Sequence, residues 1–256
     1  MKRLLMSSMV ALLLSSGAQA ASSAPTYAVI SLVGDQLDVV TYQPQVGTQL
    51  DSNTHMRLAL SEDELDTAAL RAINRSLKAS HPGAQIALLA ASTPESFANQ
   101  DRLFSGDHVT LPAEIDAAVH REGATTLVLV TKHHGQARLQ VADGFIGSGK
   151  LSGLGYYLDT NQQLETRDTQ MHSVGYLAPF VYVDVNLVDV ATGTLLKRAT
   201  IATGYVIGSS NRAEAVHPWD ALSSQEKVAT LKSLLTQELQ AAMPTLLGEN
   251  AAKPAL

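Results

Sequence analysis

Apolar and polar positions in this chain follow two periods, and the places where one gives way to the other mark out its elements. Tyr27 to Val33 and Gln36 to Tyr42 are β-rich runs parted by Gly34-Asp35, a pattern that predicts a first hairpin. Residues 43 to 60 are irregular. Ser61-Glu62-Asp63-Glu64 then has the form of a capping box, the serine oxygen accepting from the backbone N–H three residues on while the glutamate reaches back. Leu65, Ala69, Ala72, Ile73 and Leu77 follow at helical spacing, and His81-Pro82-Gly83 stops the helix.

Gln85 to Ser92 is a continuous apolar run bounded by turn signals, which predicts a strand covered on both faces. Residues 93 to 110 read as loop. Pro112 opens a second helix with Ile115, Ala118 and Val119 on one face and Gly123 past its end. Thr125 to Thr131 is another buried strand, turned by Lys132 to Gln136 into residues 137 to 143. Farther on, Val181, Val183, Val185 and Leu187 alternate with Tyr182, Asp184 and Asn186, which predicts a half-exposed strand. Ala191-Thr192-Gly193 turns it, and Leu195 to Val206 runs back. A second capping box, Ser223 to Glu226, opens a helix that buries Val228, Leu231, Leu235, Leu239 and Met243 until Pro244 ends or kinks it.

Buried runs flanked by helices, interleaved with antiparallel pairs, predict an α/β fold of the α+β kind. The expected architecture is a mixed, mostly antiparallel sheet with three main helices packed on it. One domain is expected over residues 26–247, with a flexible tail at 248–256. Between 144 and 180 the composition changes to six glycines and three tyrosines around the polar stretch Asp159 to His172, and this segment is read as a Gly/Tyr-rich insertion.

The first twenty residues, MKRLLMSSMVALLLSSGAQA, place Lys2 and Arg3 before a short apolar run that ends in the small-residue site Ala18-Gln19-Ala20. That is the form of a secretory signal, and Ser7, Ser8, Ser15 and Ser16 interrupt the run before it is long enough for a transmembrane anchor. Export to the periplasm is expected, with secretion as the other destination. Losing the leader takes the net charge from −6 to −8, which repels a phosphate backbone and argues against nucleic acid. The chain has no cysteine, so its core must hold it together without disulfides.

The hairpin VNLVDVATGTLLKRATI, with Leu187, Val188 and Asp189 closing a strand and Thr192-Gly193 in the turn, resembles a pattern found in a group of bacterial envelope domains. The group includes the TolB N-terminal domain, the curli secretion protein CsgG and the peptidoglycan-synthase activator LpoB. The preceding AAVHREGATTLVLV is similar to the helix-then-strand unit that stands before that hairpin. The likeness is sharp over 184 to 201 and loose over 61 to 206. It implies an exported α/β accessory domain without catalysis, working through protein contacts. CsgG and LpoB are lipoproteins, whereas this chain has no cysteine to lipidate, so no lipid anchor is expected.

Candidate chemistry is sparse. Gly144 to Leu151 is one residue short of a phosphate-binding loop: Leu151 stands where Ser or Thr would hold magnesium, and no helical run follows. His133 and His134 are adjacent, so on an extended segment they point to opposite faces and cannot close on one metal ion. Ser148 and Ser152 lie among glycines without the spacing of a nucleophile elbow. Asp184 and Asp189 are separated by an odd offset, and Asp189 reads as a turn residue. No catalytic residue, metal site or cofactor is therefore assigned. Tyr156, Tyr157 and Tyr176 are the binding anchors chosen from the glycine-tyrosine segment.

The leading reading is an exported, non-enzymatic accessory or assembly protein of the bacterial cell envelope, with an envelope protein as partner and room for a homo-oligomer. One alternative is a periplasmic hydrolase whose serine, histidine and aspartate meet only in space. A second is an oligomeric secretion or pore component. The leading reading expects no deep pocket in which ionisable groups converge.

Overall fold

The computed structural model describes residues 25–34, 36–44, 51–60, 63–91, 94–98, 100–165, 172–208 and 217–248. The leader, the Ser61-Glu62 half of the first capping box and the 249–256 part of the tail fall outside them. The first elements are β1 (Thr26–Ser31), β2 (Gln36–Thr41), β3 (Thr54–Ala59), α1 (Glu64–Ser80), β4 (Gln85–Ala90) and the one-turn α2 (Pro94–Phe97). A 3-10 turn (Gln100–Leu103) leads into β5 (Phe104–Ser105), β6 (His108–Val109), α3 (Ala113–Arg121), β7 (Thr126–Lys132), β8 (His134–Gln136), β9 (Leu139–Val141) and β10 (Gly144–Ile146). The chain then forms β11 (Lys150–Glu165), β12 (His172–Asp189), β13 (Leu195–Gly204), β14 (Ile207–Gly208), a second 3-10 turn (Pro218–Ala221) and α4 (Ser224–Leu246).

Ten of these strands make one mixed sheet in which antiparallel pairings outnumber parallel ones, with α1, α3 and α4 as the three longer helices, as the pattern predicts. β12 organises it. Along one edge β12 takes β11 as far as Tyr182 and then β7 from Val183 to Asp189, so β7 and β11 stand end to end. The other edge takes β14 and β13. Residues 150–165 and 172–180, which fall in the segment read as an insertion, belong to the two longest strands, at the centre of the sheet.

The predicted first hairpin does not form. β1 runs parallel to β7 and β4, while β2 runs parallel to β11 and pairs with β3. Because β7 and β11 point the same way along β12, β1 and β2 are successive strands in one direction, stepping from one half of the sheet to the other. Val33 and Gly34 N–H do not bond across a turn but donate to the buried carboxylate of Asp66, in the first turn of α1, at 3.1 to 3.2 Å. Gly34 is needed there, since a Cβ would lie 2.7 Å from that carboxylate.

Four further expectations are corrected. β4 is not covered on both faces; it stands at the end of the sheet with Leu88 41% exposed. Residues 43–60 contain β3, an edge strand that puts His55 and Arg57 on one face and Met56 and Leu58 on the other. The 93–110 loop carries α2, the first 3-10 turn and the small β5–β6 pair. β12 is not half-exposed either, because Tyr182 and Asn186 are fully buried.

The helices follow their apolar periods. Leu65, Ala69, Ala72, Ile73 and Leu77 of α1 and Leu231, Leu235, Leu239 and Met243 of α4 are all buried, in one cluster with Val128, Val181 and Val183 of the sheet. Each of the leucine, isoleucine and methionine side chains among them contributes about 1.5–3 kcal/mol by leaving water. Val228 is only half-buried. The second capping box is present, with Glu226 N–H donating to Ser223 Oγ and Ser223 N–H to Glu226 Oε2. Pro244 lies inside the last turn without ending the helix, which stops at Leu246 before Gly248 at φ +83°. The first helix instead begins at Glu64 with Asp63 at its N-cap and no side-chain cap bond. The opposite face of the sheet carries two clusters, one under α3 with Val119, Ile30 and Leu129, the other around Tyr157, Tyr176, Phe180 and Tyr182.

Candidate functional site

Where β7 ends and β11 begins, the sheet forks, and an open cleft of about 1080 Å³ lies along the fork. Asp38 enters it from β2, His55 and Arg57 from β3, and Asp63 from the N-cap of α1. Asp101, Lys132, His134, Lys150 and Ser152 complete its polar wall. Ionisable groups from separate segments thus do converge, contrary to expectation, although in an open cleft and not in a deep pocket. These residues come from seven segments, and only the fork brings them together.

Gln100 closes the floor. Its amide N–H₂ donates to Leu32 O and Phe97 O, and its Oε1 accepts Lys132 N–H at 2.8 Å. His55 Nδ1 lies 3.0 Å from Asp38 Oδ2, and its Nε2 is 4.0 Å from Asp51. Asp51 in turn accepts the N–H of Lys150 at 2.8 Å, and Asn53 donates to Ser148 O at 2.7 Å. This chain of contacts ties β3 to the start of β11. The other Asp38 oxygen is buried without a partner among the described residues.

A second imidazole, that of His133, lies 3.3 Å from Asp184 and stacks on Tyr182, while Asp184 also accepts the Thr200 hydroxyl at 2.6 Å. His134 faces the cleft instead, so the adjacent histidines separate as an extended backbone requires. Ser152 stands opposite His134 in the β8–β11 pairing, yet among the described residues no serine hydroxyl bonds to either the His55 or the His133 imidazole. A serine–histidine–aspartate relay is thus not assembled from these pairs. Nor do three His, Cys, Asp or Glu groups come together to hold a metal among the described residues.

Gly144 to Leu151 forms β10, a turn with Gly147 at φ +105° and Gly149 at φ +77°, and the start of β11. Lys150 opens a strand, so this loop does not lead into a helix. The position after β1 that could take an anion at the start of α1 is filled by the chain's own Asp66. Asp189 accepts Thr192 N–H and its hydroxyl, which hold its carboxyl below the ordinary range, in keeping with a turn residue.

The three tyrosines chosen as anchors are fully buried. Tyr156 points into the α1–α4 side, donates to Lys227 O at 2.7 Å and meets Trp219 edge-on. Tyr157 and Tyr176 lie on the other face with rings near parallel, 6.1 Å apart. Between the two clusters of that face runs a polar group that the sequence did not point to: buried Asn186 donates to Leu129 O and Thr131 Oγ1 and accepts from Arg198 at 2.7 Å. The signal available was an asparagine inside a strand otherwise rich in valine.

Burial pushes the hydroxyls of Tyr27, Tyr156, Tyr157, Tyr176, Tyr182 and Tyr205 above the ordinary tyrosine value of 10.0. The folded chain then keeps protons that the unfolded chain releases above about pH 10, so stability is full below that pH and falls as pH rises toward the folded values. Absorbance at 295 nm and far-UV circular dichroism, followed from pH 8 upward, should show these tyrosines ionising together with unfolding. Ionisation spread over several pH units with unchanged dichroism would contradict this.

No family model matches the chain, and no curated protein matches it. Among solved structures it is similar to the PelC dodecamer from Paraburkholderia phytofirmans, at 12% identity with 88% of each chain covered and a TM-score of 0.35. It is also similar to protein XCC0632 of Xanthomonas campestris, at 10% identity over 88% of this chain and 85% of that one, TM-score 0.33. A third is lipoprotein GNA1162 from Neisseria meningitidis, at 10% identity over 83% of this chain and 97% of that one, TM-score 0.27.

Proposed function

We propose that this chain is an exported, non-enzymatic accessory protein of a bacterial cell envelope, and that it works by pairing a partner protein with the outer edge of β13. The observation that carries the reading is that edge. β13 is tied at its start by Leu195 N–H to Asp107 O and past its end by Val206 N–H to Gln140 O. From 196 to 204 its only strand partner among the described residues is β12, on the inner side. An open strand edge offers a row of backbone donors and acceptors to an added strand. Leu196, 51% exposed, supplies an apolar contact beside it. The leader-like first twenty residues support export, and the absence of cysteine from the sequence argues against a thioether lipid anchor.

The test places a photo-crosslinking residue at Leu196 and, separately, at Met56, which is similarly exposed on the edge strand β3. Cell fractionation should find the protein in the periplasm with Ala21 as its first residue. Irradiation should give a defined adduct with an envelope protein from position 196 and none from position 56. Cytoplasmic retention, or adducts from position 56 alone, would contradict the reading.

A further inference from the structure

We propose that the pocket formed by Tyr42, Tyr157 and Tyr176 binds an organic cation through a primary ammonium group. This site lies apart from the β13 edge and does not depend on the role given to it. The pocket has a volume of about 480 Å³. Tyr157 and Asp159 of β11 and Tyr176 of β12 share one face of the sheet, Asp159 and Tyr176 being directly paired across the strands. Tyr42, just past β2, and Asn161 stand at its more exposed side. The β11–β12 ladder shifts register directly after Asp159, and Gly175 sits at φ +84° where a Cβ would strike Asp159 O at 2.5 Å. A bulge of this kind re-aims side chains beside it.

The Tyr176 hydroxyl carries the inference. Its side chain is fully buried and lines the pocket, yet the hydroxyl has no hydrogen-bond partner among the described residues. A buried polar group left without a partner is costly, and one at a pocket wall is satisfied when a ligand supplies the partner. By contrast the Tyr157 hydroxyl accepts Ser148 N–H at 3.2 Å. Burial first, then the neighbouring Tyr157, Asp159 and Tyr42, push the Tyr176 hydroxyl well above its ordinary value, so it stays neutral with lone pairs to offer.

The wall decides the sign of the ligand. Its polar atoms are phenol oxygens, the buried Asp159 carboxylate, the Asn161 amide and Ser148, and no lysine, arginine or histidine lines it among the described residues. Asp159 Oδ1 accepts Asn161 N–H at 2.7 Å, and a carboxylate has about four lone-pair sites, so it can accept more. An ammonium has three donors, which the Asp159 carboxylate and the phenol oxygens can accept, and aromatic faces attract a cation. A chain with net charge −6 also draws cations toward it.

Isothermal titration calorimetry of the purified full chain with 1,5-diaminopentane tests this. Saturable one-site binding is expected, weakened about tenfold or more, the worth of one charged hydrogen bond, by Tyr176→Phe and by Asp159→Asn. Because Tyr176→Phe removes an unpartnered hydroxyl and keeps the ring, its melting temperature should equal or exceed that of the wild type. A lysine side chain offers the same ammonium, and Nα-acetyl-lysine methylamide in place of the diamine tells whether the source is a free amine or a peptide. No saturable binding of either amine would overturn the proposal. So would diamine binding that Tyr176→Phe leaves unchanged, or glucose, a neutral hydroxyl ligand, competing the diamine away.

Discussion

Gly155→Ala should detach β2 and β3 from the rest of the sheet. A Cβ at Gly155 would lie 1.9 Å from Asp38 O and 2.8 Å from the Phe180 ring. Gly155 and Asp38 are direct partners in the parallel β2–β11 pairing, so this clash is with backbone and cannot be relieved by a rotamer. Overpacking a core side chain costs about 1–3 kcal/mol; a backbone collision costs more, because the strands must part. The fork would then open and the cleft lose the wall made by Asp38, His55 and Arg57. Thermal melts and limited proteolysis near residues 43–60 check it. Gly83→Ala, where a Cβ meets nothing within 4 Å, is the neutral control. A Gly155→Ala protein that melts with the wild type would show that β2 is not held as described.

The second large effect is expected from Asp66→Ala. Its carboxylate accepts the buried N–H groups of Val33 and Gly34, where the chain steps from β1 to β2. Removing it leaves two donors without an acceptor, about 1–3 kcal/mol each. It also takes a negative charge from the first turn of α1, a further fraction of a kcal/mol. Urea denaturation should show a loss of several kcal/mol for Asp66→Ala and a smaller one for Asp66→Asn, which keeps one acceptor oxygen. Equal losses for the two variants would mean that charge, not hydrogen bonding, accounts for the effect.

What could be read from the residues divides along physical lines. The faces of α1 and α4 were legible because a helix buries a stripe of fixed period, and the second capping box because its bonds span three residues. The β12–β13 hairpin was legible for the same reason: Asp189, Thr192 and Gly193 make the turn locally. Strand pairing was not. The pattern from Tyr27 to Tyr42 marks two strands and a break, but whether the break reverses the chain depends on Asp66 and on where β7 and β11 lie, far along the sequence. The tyrosines show a related ambiguity: a phenol ring buries a large apolar area while its hydroxyl needs a partner, so the same residue serves core or site. Tyr156 found its partner in Lys227 O, and Tyr176 found none among the described residues. The cleft was illegible because Asp38, His55, Lys132 and Ser152 have no common spacing and meet only at the fork.

The openness of the β13 edge is the claim on which the functional reading turns, and amide hydrogen exchange on the purified protein tests it most directly. In an antiparallel edge strand, alternate N–H groups point inward to their neighbour and outward to water. Alternate amides from 196 to 204 should therefore exchange fast while those between them stay as slow as the amides of β12. Uniform protection along β13, equal to that of β12, would mean that the edge is already covered and would contradict the account.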